Sequence, residues 1–426
     1  MNALVNRLRS HKLYLYNLVG TFASQGVTAL SLLIVTRLLV TRLGETSFST
    51  YGVLLNLILI ATVVDFGLNT GLSHRLIQDP SSKSGLINAV FFYSPLVFLV
   101  AFPLFLLLFQ FEWVRIDGPF IFIAFLLALI VAQNMLALLW ESLLQSVNKI
   151  YLSKWVRVGR TIAEAFLLIW VSKFGKVEWL LLTSALVNCV FLFFLFLQAK
   201  REIGFTISWK VFKLRLLWNQ LGYSFWYFQS MVAAVIAYNI QIIVLSHYLT
   251  VTQLTIFLLV FRFFEVIRTG MTNFTQVLFP SISKLQAQGD WSVLAIRFKR
   301  IFIRVFIFSL FIFWGLLWKG HFLFSWWSQY DTPESKSLFN VYAFYVFLLV
   351  IDYVSVVFLL ALKLNKLPAL VSTTQSFLSL IATVFFIQSW GLAGAVWASL
   401  ALFASTSLIF NPLYLVSQLR KHQVSV

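Results

Sequence analysis

Apolar residues in this chain gather into runs of roughly 17 to 25 positions, the length at which an α-helix crosses a bilayer, and short charged or turn-forming clusters separate them. Twelve runs stand out: 14–40, 48–72, 86–109, 119–145, 154–173, 178–198, 221–246, 253–277, 301–318, 337–362, 367–388 and 392–416. They consume most of the 426 residues, which leaves short connections and no room for a soluble domain. The basic stretch 201–220 divides them six and six. The predicted architecture is all-α and polytopic: about twelve transmembrane helices in two six-helix lobes, 1–200 and 221–426, joined by a cytoplasmic connector at 201–220.

The spans are not equally apolar. At roughly 100° per residue, Arg262, Glu265, Arg268, Thr269, Thr272 and Gln276 of the eighth span share a stripe about 120° wide, while Phe263, Phe264, Ile267, Met271 and Phe274 fall elsewhere. The first span aligns Asn17, Thr21, Ser24, Gln25, Thr28 and Ser31. The second groups Thr62, Asp65, Asn69 and Ser73, and the seventh groups Tyr223, Tyr227, Ser230, Tyr238 and Gln241. Leu43 and Tyr51 join the first pair of spans as Leu249 and Phe257 join the seventh and eighth, an echo that suits an internal repeat. Spans 3, 6, 9, 11 and 12 read as far more uniformly apolar, fit for lipid or for packing. Pseudo-symmetric halves with polar helices between them form the pattern of an alternating-access carrier.

Charge then sharpens the picture. A mid-membrane charge costs roughly 2.5 to 3.5 kcal/mol, so two arginines and a glutamate in one span need partners or water. Glu265, three residues from each arginine, can neutralise one of them and leaves the other. Net charge is +18, with 60% hydrophobic and 11% charged residues. In a soluble protein that excess would suggest nucleic acid; here it is topological. Of the 32 Lys and Arg, Arg42, Arg115, Lys173, Lys176, Lys319 and Lys336 fall on one side, Arg37, Arg262 and Arg268 lie within spans, and all others share the side of both termini. Both termini are therefore expected in the cytoplasm, with Arg7, Arg9 and Lys12 preceding a retained first span. The segment 199–220, with Trp209, Lys210, Phe212, Lys213, Arg215 and Trp218, suits either an amphipathic helix among headgroups or a plain basic connector. Cys189 is the only cysteine and the five histidines are scattered, so no metal site and no cofactor is expected.

Five carboxylates fall inside spans: Asp65, Glu141, Glu164, Glu265 and Asp352. Glu164 follows Arg160 by four residues and reads as a local pair, and Glu141 lies near the cytoplasmic end of its span. Asp65, Glu265 and Asp352 are candidates for a coupling ion, H⁺ or Na⁺, or for charge balance against the arginines. Arg37 is placed to snorkel.

Gly44, then Tyr51-Gly52, a hydrophobic helix ending in Asp65-Phe66-Gly67-Leu68, and Arg75 together resemble the opening of Wzx-type polysaccharide flippases of the multidrug/oligosaccharidyl-lipid/polysaccharide (MOP) exporter superfamily. Phe279-Pro280-Ser281 and the six-plus-six layout extend the likeness across most of the chain. The resemblance implies a MATE-like fold whose helices 1, 2, 7 and 8 line a cavity, and a lipid-linked oligosaccharide on undecaprenyl diphosphate as cargo, carried across a bacterial cytoplasmic membrane for O-antigen or another surface glycan. It implies a monomer, working beside glycan polymerase machinery and binding no nucleic acid. On that basis Arg262 and Arg268 would hold the diphosphate, since a guanidinium offers two parallel charge-assisted bonds and stays protonated. Asn17, Thr21, Ser24, Gln25, Thr28, Asn69, Tyr227, Tyr238, Gln241, Thr269, Thr272 and Gln276 would face the sugars. A multidrug or cation antiporter of the same fold is the nearest alternative. A membrane glycan polymerase or glycosyltransferase is a further one, but Asp331 and Glu334 form only a dilute acidic pair in a short outer loop, so no enzyme is expected.

Overall fold

The computed structural model describes residues 2–69, 72, 76, 83–114, 116, 118–209, 218, 225, 228, 229, 231–276 and 278–424, with the side chains of 2–14, 83, 276, 280, 284, 287, 423 and 424 excepted. The described residues are helical with short connections and contain no strand. In hydrocarbon each backbone N–H must find its acceptor within its own segment, which is why apolar runs of this length fold as helices. The chain divides into two compact units, Met1–Met231 and Val232–Val426. Half of the connector expected at 201–220, together with Tyr223, Tyr227 and Ser230, lies outside the described residues.

In the first unit, α1 (Asn2–Ala61) bends at Gly44, where φ of 74° and ψ of 168° leave the helical region. A Cβ at that φ would be strained, so glycine permits the turn between the first two expected spans. A 3₁₀ turn, Thr62–Asp65, follows and ends on Phe66 in the left-handed region. Then come α2 (Lys83–Gln110), α3 (Phe120–Ser146), α4 (Ile150–Val171) and α5 (Val177–Ile203). The second unit begins with a π-helical turn, Ile236–Ile240, leading into α6 (Gln241–Tyr248), α7 (Val251–Gln276) and the short α8 (Phe279–Gln288). Next, α9 (Trp291–Gly315) runs through a second π turn, Leu316–Gly320, into α10 (His321–Ser328). A Thr332–Ser335 capping box opens α11 (Pro333–Ala361). α12 (Lys366–Ser405) is bent at Trp390 and Gly391, and α13 (Ser407–Val424) ends the unit. Eight stretches of described helix are long and apolar enough to cross a membrane, and two of them, Leu15–Asp65 and Lys366–His422, have the length of two crossings and contain the bends. Ile150–Val171 and Val251–Gln276 supply crossing lengths with charges in them. Together these account for the expected twelve spans, and the chain is a multi-pass membrane protein.

Apolar contact with lipid is nearly as good as apolar contact with another helix, so specific polar bonds and close backbone approach fix the packing. In the first unit α1 is strapped to α4 at both ends. Asn17 Nδ2 donates to the Asn148 carbonyl at 3.0 Å, and its Oδ1 accepts from the Tyr151 backbone N–H at 2.9 Å, capping α4. At the far end Arg42 Nη1 donates to the Ile169 carbonyl and to Ser172 Oγ. Between them a Cβ on Gly20 would stand 3.3 Å from Tyr151 Cα, so only glycine lets the two backbones meet without adjustment. Asn88 ties α2 to the segment after α5, donating to the Thr206 carbonyl at 3.0 Å and accepting from Ser208 N at 2.7 Å. Trp140 sits fully buried among Phe91, Phe196 and Phe205.

The expectation of uniformly apolar spans 6, 11 and 12 does not hold. Asn188 is buried in α5, and α12 and α13 bury Gln375, Ser376, Ser379, Thr383, Ser399, Ser407 and Asn411. These small polar side chains escape a hydropathy scan because they are isolated among Leu and Phe, yet in lipid they are the groups that can bond across helices. Span 9 meets the expectation: the stretch Trp291–Ser328 is the least buried of the crossing helices.

Candidate functional site

The polar stripe of α7 lies within the second unit, and its two arginines have different fates. Arg262 Nη1 donates to Glu265 Oε2 at 2.7 Å, with the side chains 11% and 28% exposed. That i,i+3 pair is locally neutral. Arg268 sits instead over the Tyr238 ring, its Cζ 4.8 Å from the centroid. No carboxylate lies within ion-pair distance of Arg268 among the described residues, although Glu265 acts on it electrostatically. A narrow crevice joins Arg268 and Glu265 to Tyr238, Phe261, Phe264, Tyr342, Val346 and Leu349.

The wall of this crevice is aromatic for a structural reason. Phe264 packs on Phe339 and stacks on Tyr342, with centroids 4.8 and 5.2 Å apart, which fastens α7 to α11. The hydroxyls of Tyr345 and Tyr238 are hydrogen-bond partners, which helps hold the Tyr238 ring beneath the guanidinium. Tyr238 lies in the π turn, a wider coil that changes helical phase locally. Thr269 and Phe274 on the same helix are exposed, and Thr272 Oγ1 donates to the Thr269 carbonyl at 3.2 Å. Asn273, which the stripe omits, has a buried Nδ2 without a partner among the described residues.

Several side chains expected to face sugar are committed elsewhere. Asn17 caps α4, as above. Gln241 is buried, and its Nε2 lies 3.2, 3.1 and 3.1 Å from Thr383 Oγ1, the Ala395 carbonyl and Ser399 Oγ. The phase change of the π turn separates Gln241 from Tyr238, which a uniform 100° wheel places on one stripe. Asn69 is buried and donates to Asp65 Oδ1 at 2.6 Å. Thr21 and Thr28 return their hydroxyls to the carbonyls of Asn17 and Ser24, Ser24 is buried, and Gln25 is half-buried. Tyr227 and the Gln276 side chain lie outside the described residues.

The intramembrane acids also sort themselves. Arg157 Nη2 reaches both oxygens of Glu141, at 2.6 and 2.7 Å, and Arg160 pairs with Glu164 at 3.5 Å. Asp65 Oδ1 takes Asn69 Nδ2 and, at 3.4 Å, Asn69 N; this closes the turn through Phe66 and Gly67 and accounts physically for the Asp-Phe-Gly pattern. Asp352 is buried and accepts from Asn411 Nδ2 at 3.1 and 3.0 Å, with no lysine or arginine in ion-pair range among the described residues. One crevice was not anticipated: in the first unit Gln133, Asn134, Glu141, Arg157, Arg160 and Asn188 line a narrow polar gap. There Asn188 presents both amide atoms and Gln133 its Oε1 without a partner among the described residues. The only sequence signal was the amides themselves within hydrophobic runs.

Membrane-crossing helices in two compact units, with acids and arginines within the spans, make a fold similar to that of solved proteins of the MOP superfamily. An inward-facing multidrug resistance MATE transporter of that superfamily aligns with a TM-score of 0.77 at 12% identity, covering 93% of this chain and 96% of that one. The lipid II flippase MurJ, in an inward closed conformation, aligns with a TM-score of 0.70 at 14% identity over 95% and 87% of the two chains. A mutant of the Vibrio cholerae MATE transporter VcmN gives 0.67 at 15% identity over 98% of each. At these identities the likeness is one of fold. No protein-family model and no curated protein matches the sequence.

Proposed function

We propose that this protein is a flippase that moves undecaprenyl-diphosphate-linked oligosaccharide from the inner to the outer leaflet of a bacterial cytoplasmic membrane by alternating access, with both termini in the cytoplasm. The observation that carries this reading is Arg268, a guanidinium inside a span that no carboxylate among the described residues neutralises at bonding distance. A permanent, flat cation on an aromatic shelf suits a phosphate oxygen pair. Arg262, neutralised by Glu265, supports the helix and contributes its remaining N–H groups. Among the described residues, Thr269 and Gln25 are the polar side chains of the expected set left to meet sugar hydroxyls. Asp352 and Asp65, held by asparagines rather than by cations, are the candidates for coupling to H⁺ or Na⁺. In this reading the protein acts as a monomeric carrier, without cofactor or covalent chemistry, alongside glycan polymerase machinery.

The second reading is export of organic cations, favoured by the naming of its structural neighbours as multidrug and MATE transporters. Vesicles containing the purified protein separate the two. Flipping of lipid-linked oligosaccharide, with no transport of a cationic dye, supports the first; dye transport without flipping overturns it. In cells, deletion is expected to leave the glycan carrier on the cytoplasmic leaflet.

A further inference from the structure

An apolar groove of about 380 Å³ runs along the second unit between α9 and α13. Ala295, Phe298, Phe302 and Ile303 form one wall, Val416 and Leu419 the other, and Lys299 and Arg420 stand at its rim. Its floor is packed: Phe298 and Leu419 belong to a buried cluster with Phe358 and Leu415. Trp291 stacks on His422 at 4.2 Å, pinning the two helices together beyond the groove's end. The volume lies within the range of small-molecule sites, which run from roughly 300 to 1,000 Å³.

Charge decides what such a groove suits. Both Lys299 and Arg420 are exposed, and neither meets a carboxylate among the described residues. They belong to the basic clusters that place this end of the helices at the cytoplasmic surface, where anionic headgroups concentrate. A tryptophan at the helix start marks the same interfacial depth. A lone basic residue would be ordinary for a positive-inside loop; two cations, one from each helix lining the same apolar slot, match a headgroup with a chain beneath it.

We propose that this groove is a binding site for an anionic glycerophospholipid of the inner leaflet, one acyl chain lying along Phe302, Ile303 and Val416 and the phosphate held between Lys299 and Arg420. Each basic residue near an anionic headgroup raises affinity by about fivefold, so the pair gives a preference of about 25-fold over a zwitterionic lipid. The site is separate from the Arg268 crevice and does not depend on what is transported.

The test is lipid retention by the full chain. Purified protein is exchanged into nanodiscs of mixed phosphatidylglycerol and phosphatidylcholine, extracted, and its bound lipid quantified by mass spectrometry. Wild type is expected to enrich phosphatidylglycerol, Lys299→Gln/Arg420→Gln to lose most of that enrichment, and Ala295→Trp, which fills the slot and keeps both charges, to lose it too. Arg297→Gln/Arg300→Gln removes two cations that do not line the groove and is expected to leave enrichment intact. Equal enrichment in wild type and the Lys299/Arg420 variant, or an equal fall in the Arg297/Arg300 variant, overturns the site in favour of general surface charge. Displacement of phosphatidylglycerol by stoichiometric undecaprenyl diphosphate overturns it in favour of a cargo groove.

Discussion

Neutralising Arg262 and neutralising Arg268 are expected to fail in different ways. The Arg262–Glu265 contact is short and mostly withdrawn from solvent on the arginine side. With charge centres about 4 Å apart and an effective dielectric of about 20, the attraction is about 4 kcal/mol, much of it offset by desolvation. Removing one partner leaves the other charged and unpaired, which costs about 3–5 kcal/mol. Arg262→Gln and Glu265→Gln are therefore each expected to lower the thermal midpoint sharply. The double variant, with no charge to strand, should regain most of the loss, giving a coupling energy of about 3 kcal/mol in a double-mutant cycle. Arg268→Gln forfeits a cation–π contact worth about 1–2 kcal/mol and should remain well folded. Its cost falls on cargo: two charge-assisted bonds to phosphate at roughly 1.5–3 kcal/mol each correspond to roughly 10²- to 10⁴-fold weaker binding. Midpoints come from fluorescence-detected size exclusion in detergent, and flipping from reconstituted vesicles. Wild-type flipping by Arg268→Gln, or a folded Arg262/Glu265 double variant as inactive as Arg268→Gln, would refute the assignment of distinct roles to the two arginines.

Other perturbations follow from the same geometry. Asn17→Ala removes the cap on α4 and should cost about 1–2 kcal/mol, read as a lower midpoint with a flipping rate per folded molecule close to wild type. Gly20→Leu forces α1 away from α4 and should cost about 1–3 kcal/mol, whereas Gly26→Leu, where a Cβ meets nothing within 4 Å, should be nearly neutral. Gln241→Leu strips the amide that bonds Thr383, Ser399 and Ala395 and should destabilise by about 1–3 kcal/mol without changing cargo selectivity; altered selectivity in the folded fraction would return Gln241 to the transport path. Asp352→Asn keeps the volume and the bond to Asn411 and should abolish dependence of flipping on the coupling ion; an unchanged ion dependence removes Asp352 from that role.

How much of this was legible depends on the range over which each interaction acts. The bilayer imposes one demand on every residue of a span, so the length of an apolar run located nearly every helix, and the bends at Gly44 and Gly391 fall where the runs were divided. Pairs within one helix were legible too: Arg160 with Glu164 and Arg262 with Glu265 are set by spacings of four and three. A wheel can say that Asn17 is polar on a stripe. It cannot say that the α3–α4 turn, more than a hundred residues away, supplies its partners. The seventh span failed for a local reason, because a π turn breaks the constant phase on which the stripe was drawn.

The polar side chains sort by bonding capacity. Asn17, Asn69 and Gln241, each expected to face cargo, bond inside their own unit, because amides in lipid bind whichever acceptor lies nearest. Arg268 resisted withdrawal because a guanidinium carries more donors than one tyrosine face can satisfy and cannot shed its charge. The polar residue best suited to a ligand within a span is thus the one whose bonding capacity exceeds what neighbouring helices supply. By that criterion Asn188, with both amide atoms unpartnered among the described residues and beside Arg157 and Arg160, is the position in the first unit where the next substitutions belong.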